Sequence, residues 1–213
     1  MIYELALVAK GDLIENEVQN LTKIVHEVTK ECQGEILIED DWGRMALAQP
    51  FGDGAKKGHY VYFIYRANNA CNAEITRRLN INESIQRFLI VKLGNESEGG
   101  NIVKNYKTPF SKKYRGTIVE NNDDGEPEDM GGGFEDKRKF SRRKGCWFTA
   151  KNIKADWKDP NTYSWLVNDF GKISPARVSG ISTKHQRFAT EAIKRARQLG
   201  VASSLSSRIA LPS

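Results

Sequence analysis

Glu35-Ile36-Leu37-Ile38-Glu39 and His59-Tyr60-Val61-Tyr62-Phe63-Ile64-Tyr65 are two runs rich in β-branched and aromatic residues, and Gly52-Asp53-Gly54 lies between them. Such runs separated by a turn read as two consecutive strands. The first is expected to continue through Trp42 and Leu47 toward Phe51. Upstream, Met1 to Ala9 reads as another strand, and Val18, Leu21, Val25, Val28 and Cys32 recur at the three- and four-residue steps of an amphipathic helix. Asp12 is the expected N-cap of that helix, and Gly34 the residue just past its end. Downstream, Ile75 and Leu79 mark a short helix over Ala73–Leu79, and Ile85–Leu93 a fourth strand. The order βαββαβ is that of a ferredoxin-like split βαβ domain, one antiparallel sheet backed by two helices, over residues 1–95.

The pattern then stops. Residues 96–136 hold Gly99-Gly100, the acidic run Glu120–Asp129 and Gly131-Gly132-Gly133, the composition of a flexible acidic linker. Tyr106-Lys107-Thr108-Pro109-Phe110 stands out within it, either as a docking stretch or as incidental aromatics. Residues 137–213 read as a small, basic, mainly α-helical domain, giving an α+β chain overall. There Asp159-Pro160 predicts an N-cap and first turn for a helix through Tyr163, Leu166 and Val167, ending near Gly171. Ser182 predicts the cap of a second helix from about Thr183 to Leu199, closed by Gly200. Its apolar stripe is Phe188, Ala189, Ala192, Ile193, Ala196 and Leu199, and Ala202–Ser207 reads as a frayed tail.

Charge divides the chain the same way. The net charge of +6 over 213 residues resolves into −2 for residues 1–95, −5 for 96–136 and +13 for 137–213, counted from the sequence. A terminal third so cationic is suited to a polyanion. No uninterrupted apolar run approaches the ~20 residues that cross a bilayer, so no membrane partner is expected. The start, lacking a basic leader, does not read as a signal or transit peptide. Three scattered cysteines (Cys32, Cys71, Cys146) fit a reducing compartment rather than a disulfide framework.

Signals for catalysis or a cofactor are weak. His26, His59 and His185 fall in different elements, and Lys30 stands where a second histidine would complete a zinc-protease helix begun by His26-Glu27. Gly171-Lys172 lacks the remainder of a phosphate-cradling loop. Glu39-Asp40-Asp41 reads as solvated surface. Cys146, beside basic residues but with no histidine near it in sequence, reads as structural. No catalytic residue, metal or cofactor is expected.

A nucleic-acid reading is better supported. Lys137–Lys144 holds six basic residues in eight. Cations continue on a helix with an apolar back, and only Asp156, Asp159, Asp169 and Glu191 dilute them. Neutralised phosphates release condensed counterions, so such a surface gains affinity with each contact. Trp147, Phe148, Trp157 and Trp165 are available for stacking on bases or for a small core, and a segment of this size needs them for the core.

Two resemblances sharpen this. Asp41-Trp42-Gly43-Arg44, Leu47-Ala48-Gln49-Pro50, Lys57-Gly58-His59-Tyr60-Val61 and Leu79–Asn82 leading into Ile85-Gln86-Arg87-Phe88 resemble bacterial small-subunit ribosomal protein six, a ferredoxin-like family. Arg142-Arg143-Lys144, Cys146, Phe148-Thr149, Asp156, Lys158-Asp159, Gly171-Lys172-Ile173, Pro175-Ala176-Arg177, Gly180, Lys184, Gln186-Arg187 and Ala192–Arg197 resemble bacterial small-subunit ribosomal protein eighteen. The resemblance implies a fusion of two partners that bind central-domain small-subunit ribosomal RNA at the platform, beside neighbouring small-subunit ribosomal proteins. It implies a cytoplasmic ribosome, bacterial or organellar, and contact between the two domains of one chain. The RNA contacts it implies are Arg142, Arg143, Lys144, Lys172, Arg177, Lys184, Arg187, Lys194, Arg195 and Arg197. Some members of the second family bind zinc through further cysteines. This segment has only Cys146, so no metal site is implied. A connector of about 45 residues spans roughly 35–40 Å r.m.s., enough for two small domains to meet. Two other readings stand beside this one: a free regulator binding messenger RNA leaders, and a ferredoxin-like domain with a ligand pocket in residues 1–95 and an RNA-tethering tail.

Overall fold

The computed structural model describes residues 1–52, 54–106, 108–109 and 146–212. Strands β1 (Ile2–Lys10), β2 (Glu35–Ala46), β3 (Lys57–Arg66) and β4 (Ile85–Gly94) alternate with helices α1 (Glu15–Glu31), between β1 and β2, and α2 (Asn69–Ile81), between β3 and β4. They are hydrogen-bonded in the order β4-β1-β3-β2, every neighbouring pair antiparallel. This is the expected split βαβ arrangement: β3 enters between β1 and β2, so the β2–β3 connection is a turn and the other two connections are helices.

Side chains alternate across a strand, and here both resulting faces are covered. Tyr3, Leu5, Leu7 and Ala9 of β1 join Val61, Phe63 and Tyr65 of β3 against Val18, Leu21, Val25 and Val28 of α1 and Cys71, Ile75 and Leu79 of α2. The opposite face, with Ile2, Ala6, Val8, Tyr60, Tyr62 and Ile64, forms one cluster with Phe148, Trp157, Tyr163, Leu166 and the apolar side of the long C-terminal helix. Ile2 through Ala9 are therefore all buried. Burial on both sides explains why β1 reads as a continuous apolar run instead of an alternating one.

Several elements depart from the sequence reading. Asp12 does not cap α1. Ile14 is the N-cap residue, and its N–H donates to Glu17 Oε2 at 3.0 Å, so the Glu at the third helical position does the capping. At the other end the left-handed residue is Gln33 (φ 57°), not Gly34. Gly34 follows it in a Schellman closure, with Gln33 N–H to Lys30 O and Gly34 N–H to Thr29 O. Gly34 is needed for space, since a Cβ there would lie 2.7 Å from the Arg66 carbonyl oxygen.

Residues 96–105, read as the start of the linker, instead form a 3₁₀ turn (Glu96–Glu98) and helix α3 (Gly99–Asn105). Tyr106 then docks on the sheet, stacked on Tyr62 with centroids 5.1 Å apart and donating to Asp40 Oδ2 at 2.6 Å. The Gly-rich composition concealed a short anchor whose energy is tertiary. Phe110, the acidic run and the basic run Lys137–Lys144 lie outside the described residues.

In the C-terminal part, α4 (Trp147–Lys151), α5 (Ala176–Ser179) and α6 (Thr183–Gln198) are helical. The helix expected from Asp159 to Gly171 is absent. Asp159 does accept from Asn161 N–H, but only two 3₁₀ turns form, Pro160–Thr162 and Ser164–Leu166. Thr162 Oγ1 donates to the Asp159 carbonyl and accepts from Asp156 N–H, competing with helix propagation as threonine does. Nor is the tail frayed. Val201, Ala202, Ser203 and Ala210 are buried, Ala202 bridges Ile209, and β5 (Leu211–Pro212) adds antiparallel to the β2 edge at Met45 and Ala46. The serines between them are the turn of a small hairpin.

Candidate nucleic-acid interface

Helix α6 begins where the sequence places it, with Ser182 Oγ accepting from His185 N–H. It ends in a Schellman closure through Gly200 N–H to Arg197 O and Val201 N–H to Ala196 O. Ala189, Ala192, Ile193, Ala196 and Leu199 are buried. At 3.6 residues per turn, Lys184, Arg187, Lys194 and Arg195 fall within an arc of about 100° on the opposite side. Lys184, Arg187 and Lys194 are exposed and Arg195 is half-buried. The apolar stripe differs in one member: Phe188 sits at its margin, 38% exposed, while His185 turns inward, stacked on Phe148 with centroids 5.4 Å apart.

The connector before α6 is held by its backbone. Val167 bridges Ile173, Ser174 N–H donates to Leu166 O at 2.7 Å, and Gln186 Nε2 reaches back to Ser174 O at 3.0 Å. Lys172 and Arg177 stand exposed on it. Among the described residues Lys172, Arg177, Lys184, Arg187 and Lys194 form no ion pair, and Arg195 lies 3.6 Å from Glu191. Unneutralised, exposed cations on a rigid framework are what a phosphate backbone meets best. Arg197 differs from these. One guanidinium nitrogen donates to the Gly171 carbonyl, its Nε is buried without a partner, and burial lowers its pKa. Arg142, Arg143 and Lys144 lie outside the described residues.

The surface under this helical layer is not purely apolar. Glu4, 2% exposed on β1, accepts from Tyr62 Oη at 2.7 Å, Trp157 Nε1 at 2.9 Å and Lys158 Nζ at 3.1 Å. Lys158 also pairs with Asp156 at 3.0 Å. Burial works against the Lys158 charge, but the Glu4 and Asp156 carboxylates outweigh it and raise its pKa. Tyr60 Oη donates to the Leu199 carbonyl at 2.6 Å, and burial raises the Tyr60 pKa. Trp42 stacks on Tyr62 and lies 5.9 Å from Trp157. Sequence reading assigned Trp157 to a core within residues 137–213, whereas its partners are on the sheet. Glu4 gave no local signal, being one carboxylate in an apolar strand.

Cys146 is the other residue whose setting was not legible. His185 Nδ1 lies 3.2 Å from its Sγ, although the two are 39 positions apart. Burial raises the thiol pKa, but hydrogen bonds from Ser182 and Thr149 prevail and bring it down to about 6. Two other histidines pair with carboxylates of β2, His26 of α1 with Glu39 and His59 of β3 with Asp41, each at 2.7 Å. Glu39 and Asp41 are thus engaged carboxylates. No three His, Cys, Asp or Glu side chains gather into a metal-binding group among the described residues.

Comparison with known proteins gives two separate matches. The family model for ribosomal protein S6 matches residues 2–92, and that for ribosomal protein S18 matches residues 151–202. Small ribosomal subunit protein bS18 of Citrifermentans bemidjiense is 48% identical over 80 residues, covering 37% of this chain and 87% of that protein. The bS18 of Geotalea uraniireducens is 52% identical over 66 residues, 30% of this chain and 72% of its own length. A crystal structure of 30S ribosomal protein S6 from Thermotoga maritima aligns with 18% identity and a TM-score of 0.40, covering 48% of this chain and 96% of that one.

Proposed function

We propose, for a chain that belongs to the bS18 family of small ribosomal subunit proteins and carries a ribosomal protein S6 domain ahead of it in the same polypeptide, that the two halves of a ribosomal protein pair work as one unit. The role is structural. The fused pair is a constituent of the small subunit, binding central-domain ribosomal RNA at the platform beside neighbouring ribosomal proteins, on a bacterial cytoplasmic ribosome. It acts as a scaffold, with no catalytic group assigned. The S6-like sheet holds the S18-like layer from below, and α6 with its connector presents Lys172, Arg177, Lys184, Arg187, Lys194 and Arg195 to the RNA. Arg142, Arg143 and Lys144, outside the described residues, are proposed as further RNA contacts, and Arg197 supports the surface from the α6 side.

The observation that carries the reading is the opposition of the two sides of α6: its apolar side is spent on the sheet, and on its cationic side Lys184, Arg187 and Lys194 form no ion pair among the described residues, Arg195 alone lying near Glu191 of the same helix. The pairing is intramolecular, with Glu4, Trp157 and Lys158 setting its register. A covalent connector raises the effective concentration of the second part to as much as ~mM. A groove of about 1010 Å³ runs between the two parts and is lined by Tyr62 and Ile102 on one side and Ile153 and Lys158 on the other. It is not a pocket within residues 1–95, so the small-molecule reading gains nothing from it.

The test is sedimentation of small subunits from the source organism after a high-salt wash. The intact chain is expected in equimolar amount with the particle. Its loss into the wash, or particles that lack it, overturns the proposal.

A further inference from the structure

Phe170 is 78% exposed, yet the turn that carries it is among the most constrained stretches of the C-terminal part. Asn168 N–H donates to Lys172 O at 2.9 Å and Gly171 N–H to Asn168 O at 2.8 Å. The Asn168 side chain accepts from Lys172 N–H at 2.7 Å, and Arg197 grips the Gly171 carbonyl from α6. Gly171 has φ +73°, and a Cβ there would stand 2.5 Å from the Ser204 carbonyl oxygen and 2.9 Å from Ser206 N. The turn is therefore pressed backbone to backbone against a second one, 203–208. That turn is closed by Ser203 N–H to Arg208 O at 3.0 Å and by Leu205 N–H to Ser203 Oγ at 3.1 Å, and it is tied to the β2–β3 connection through Ser204 and Gln49. It carries its own exposed apolar residue, Leu205, at 73%. Lys172 on the first turn and Arg208 on the second are exposed cations.

We infer that these two clamped turns form a base-binding tip, in which Phe170 stacks on an unpaired base of the RNA while Lys172 and Arg208 take flanking phosphates. The inference rests on the RNA-binding reading above and extends it to residues that the cationic pattern did not include, Phe170, Leu205 and Arg208. A protruding aromatic ring flanked by cations suits a nucleobase, which offers a π-face and neighbouring negative charge together. A protein partner would want a wider apolar patch than one ring and one leucine. Rigidity is the second ground: a platform held by Arg197, Asn168 and the Ser204 backbone loses little conformational freedom on binding. Arg197 is then a positioning residue for the tip.

The experiment measures binding of the full chain to a transcript of the bacterial small-subunit ribosomal RNA central domain across a salt series. Phe170→Ala is expected to weaken binding about 5- to 150-fold with an unchanged salt slope and unchanged melting temperature. Phe170→Trp is expected to retain affinity, and Phe170→Leu to lose it. Lys194→Ala serves as the independent control, lowering the salt slope by ~0.7–0.9. If Lys194→Ala has its effect while Phe170→Ala binds like the parent, the tip is overturned and the RNA-binding reading stands. If neither variant changes binding, that reading falls and takes the tip with it. RNA affinity that is normal in Phe170→Ala while particle retention is lost would make the contact a protein one, and equally overturn the inference.

Discussion

The two faces of the central sheet make an instructive pair. Toward α1 and α2 the contact is made by apolar groups such as Leu5, Leu7, Val25, Phe63 and Ile75. Toward the C-terminal layer the same strands bury a carboxylate, Glu4, and tie it to an ammonium, an indole N–H and a phenol drawn from both parts. The first face joins segments that fold together, where size and shape suffice. The second joins two units that must find one register, and charged hydrogen bonds penalise every other one. Greasy packing tolerates error. A buried ion pair does not.

The largest effect expected from breaking this contrast comes from Lys158→Ala, which strands Glu4 in the interface. Loss of one partner of a buried pair costs about 3–5 kcal/mol, read as a drop in denaturation midpoint followed by tryptophan fluorescence. The double variant Glu4→Leu, Lys158→Met should recover much of it. A double variant no better than Lys158→Ala would show that the pair is not what registers the layer. Tyr60→Phe is a gentler probe. It leaves the buried Leu199 carbonyl without its donor and should cost about 1–2 kcal/mol in the same assay, with the N-terminal helices unaffected by hydrogen exchange. The smallest effect is electrostatic and lies at the sheet's exposed edge. Burial raises the Asp41 pKa, but the hydrogen bonds from His59 and Gly43 N–H outweigh it and hold it below 3.8. A carboxyl depressed in the folded state stabilises above its unfolded pKa and loses that contribution as pH falls through the folded one. Asp41→Asn should therefore lower stability slightly through the neutral range, where the charged form contributes, and converge with the parent below pH ~4. A parent and variant with superimposable curves at every pH would remove Asp41 from the account.

Legibility followed the same division. Apolar, β-branched and aromatic runs placed β1 to β4, and the 3.6-residue period placed α1 and α6, within a few residues, because those signals are written in neighbouring positions. The cations of α6 were legible for that reason too: Lys184, Arg187 and Lys194 lie opposite Ala189 and Ala196 by helical geometry alone. Failures arose where a long-range partner overrode local preference. Residues 96–106 were Gly-rich yet anchored by Tyr106 on Tyr62 and Asp40. The expected helix after Pro160 gave way to turns that seat Tyr163 and Leu166 in the shared core. Glu4 and Lys158 stand 154 positions apart, and Cys146 and His185 stand 39 apart; no spacing rule reaches that far.

By itself, then, the sequence determined the strand and helix order, the polarisation of charge toward the last third and the amphipathic split of α6, all consequences of side chains repeating at the period of their own backbone. Tertiary structure alone decided that the second sheet face is covered, that Glu4 is paired and that the serine-rich tail folds into a hairpin against β2. Those outcomes depend on removing water from surfaces contributed by distant segments, and that free energy exists only once the segments have met.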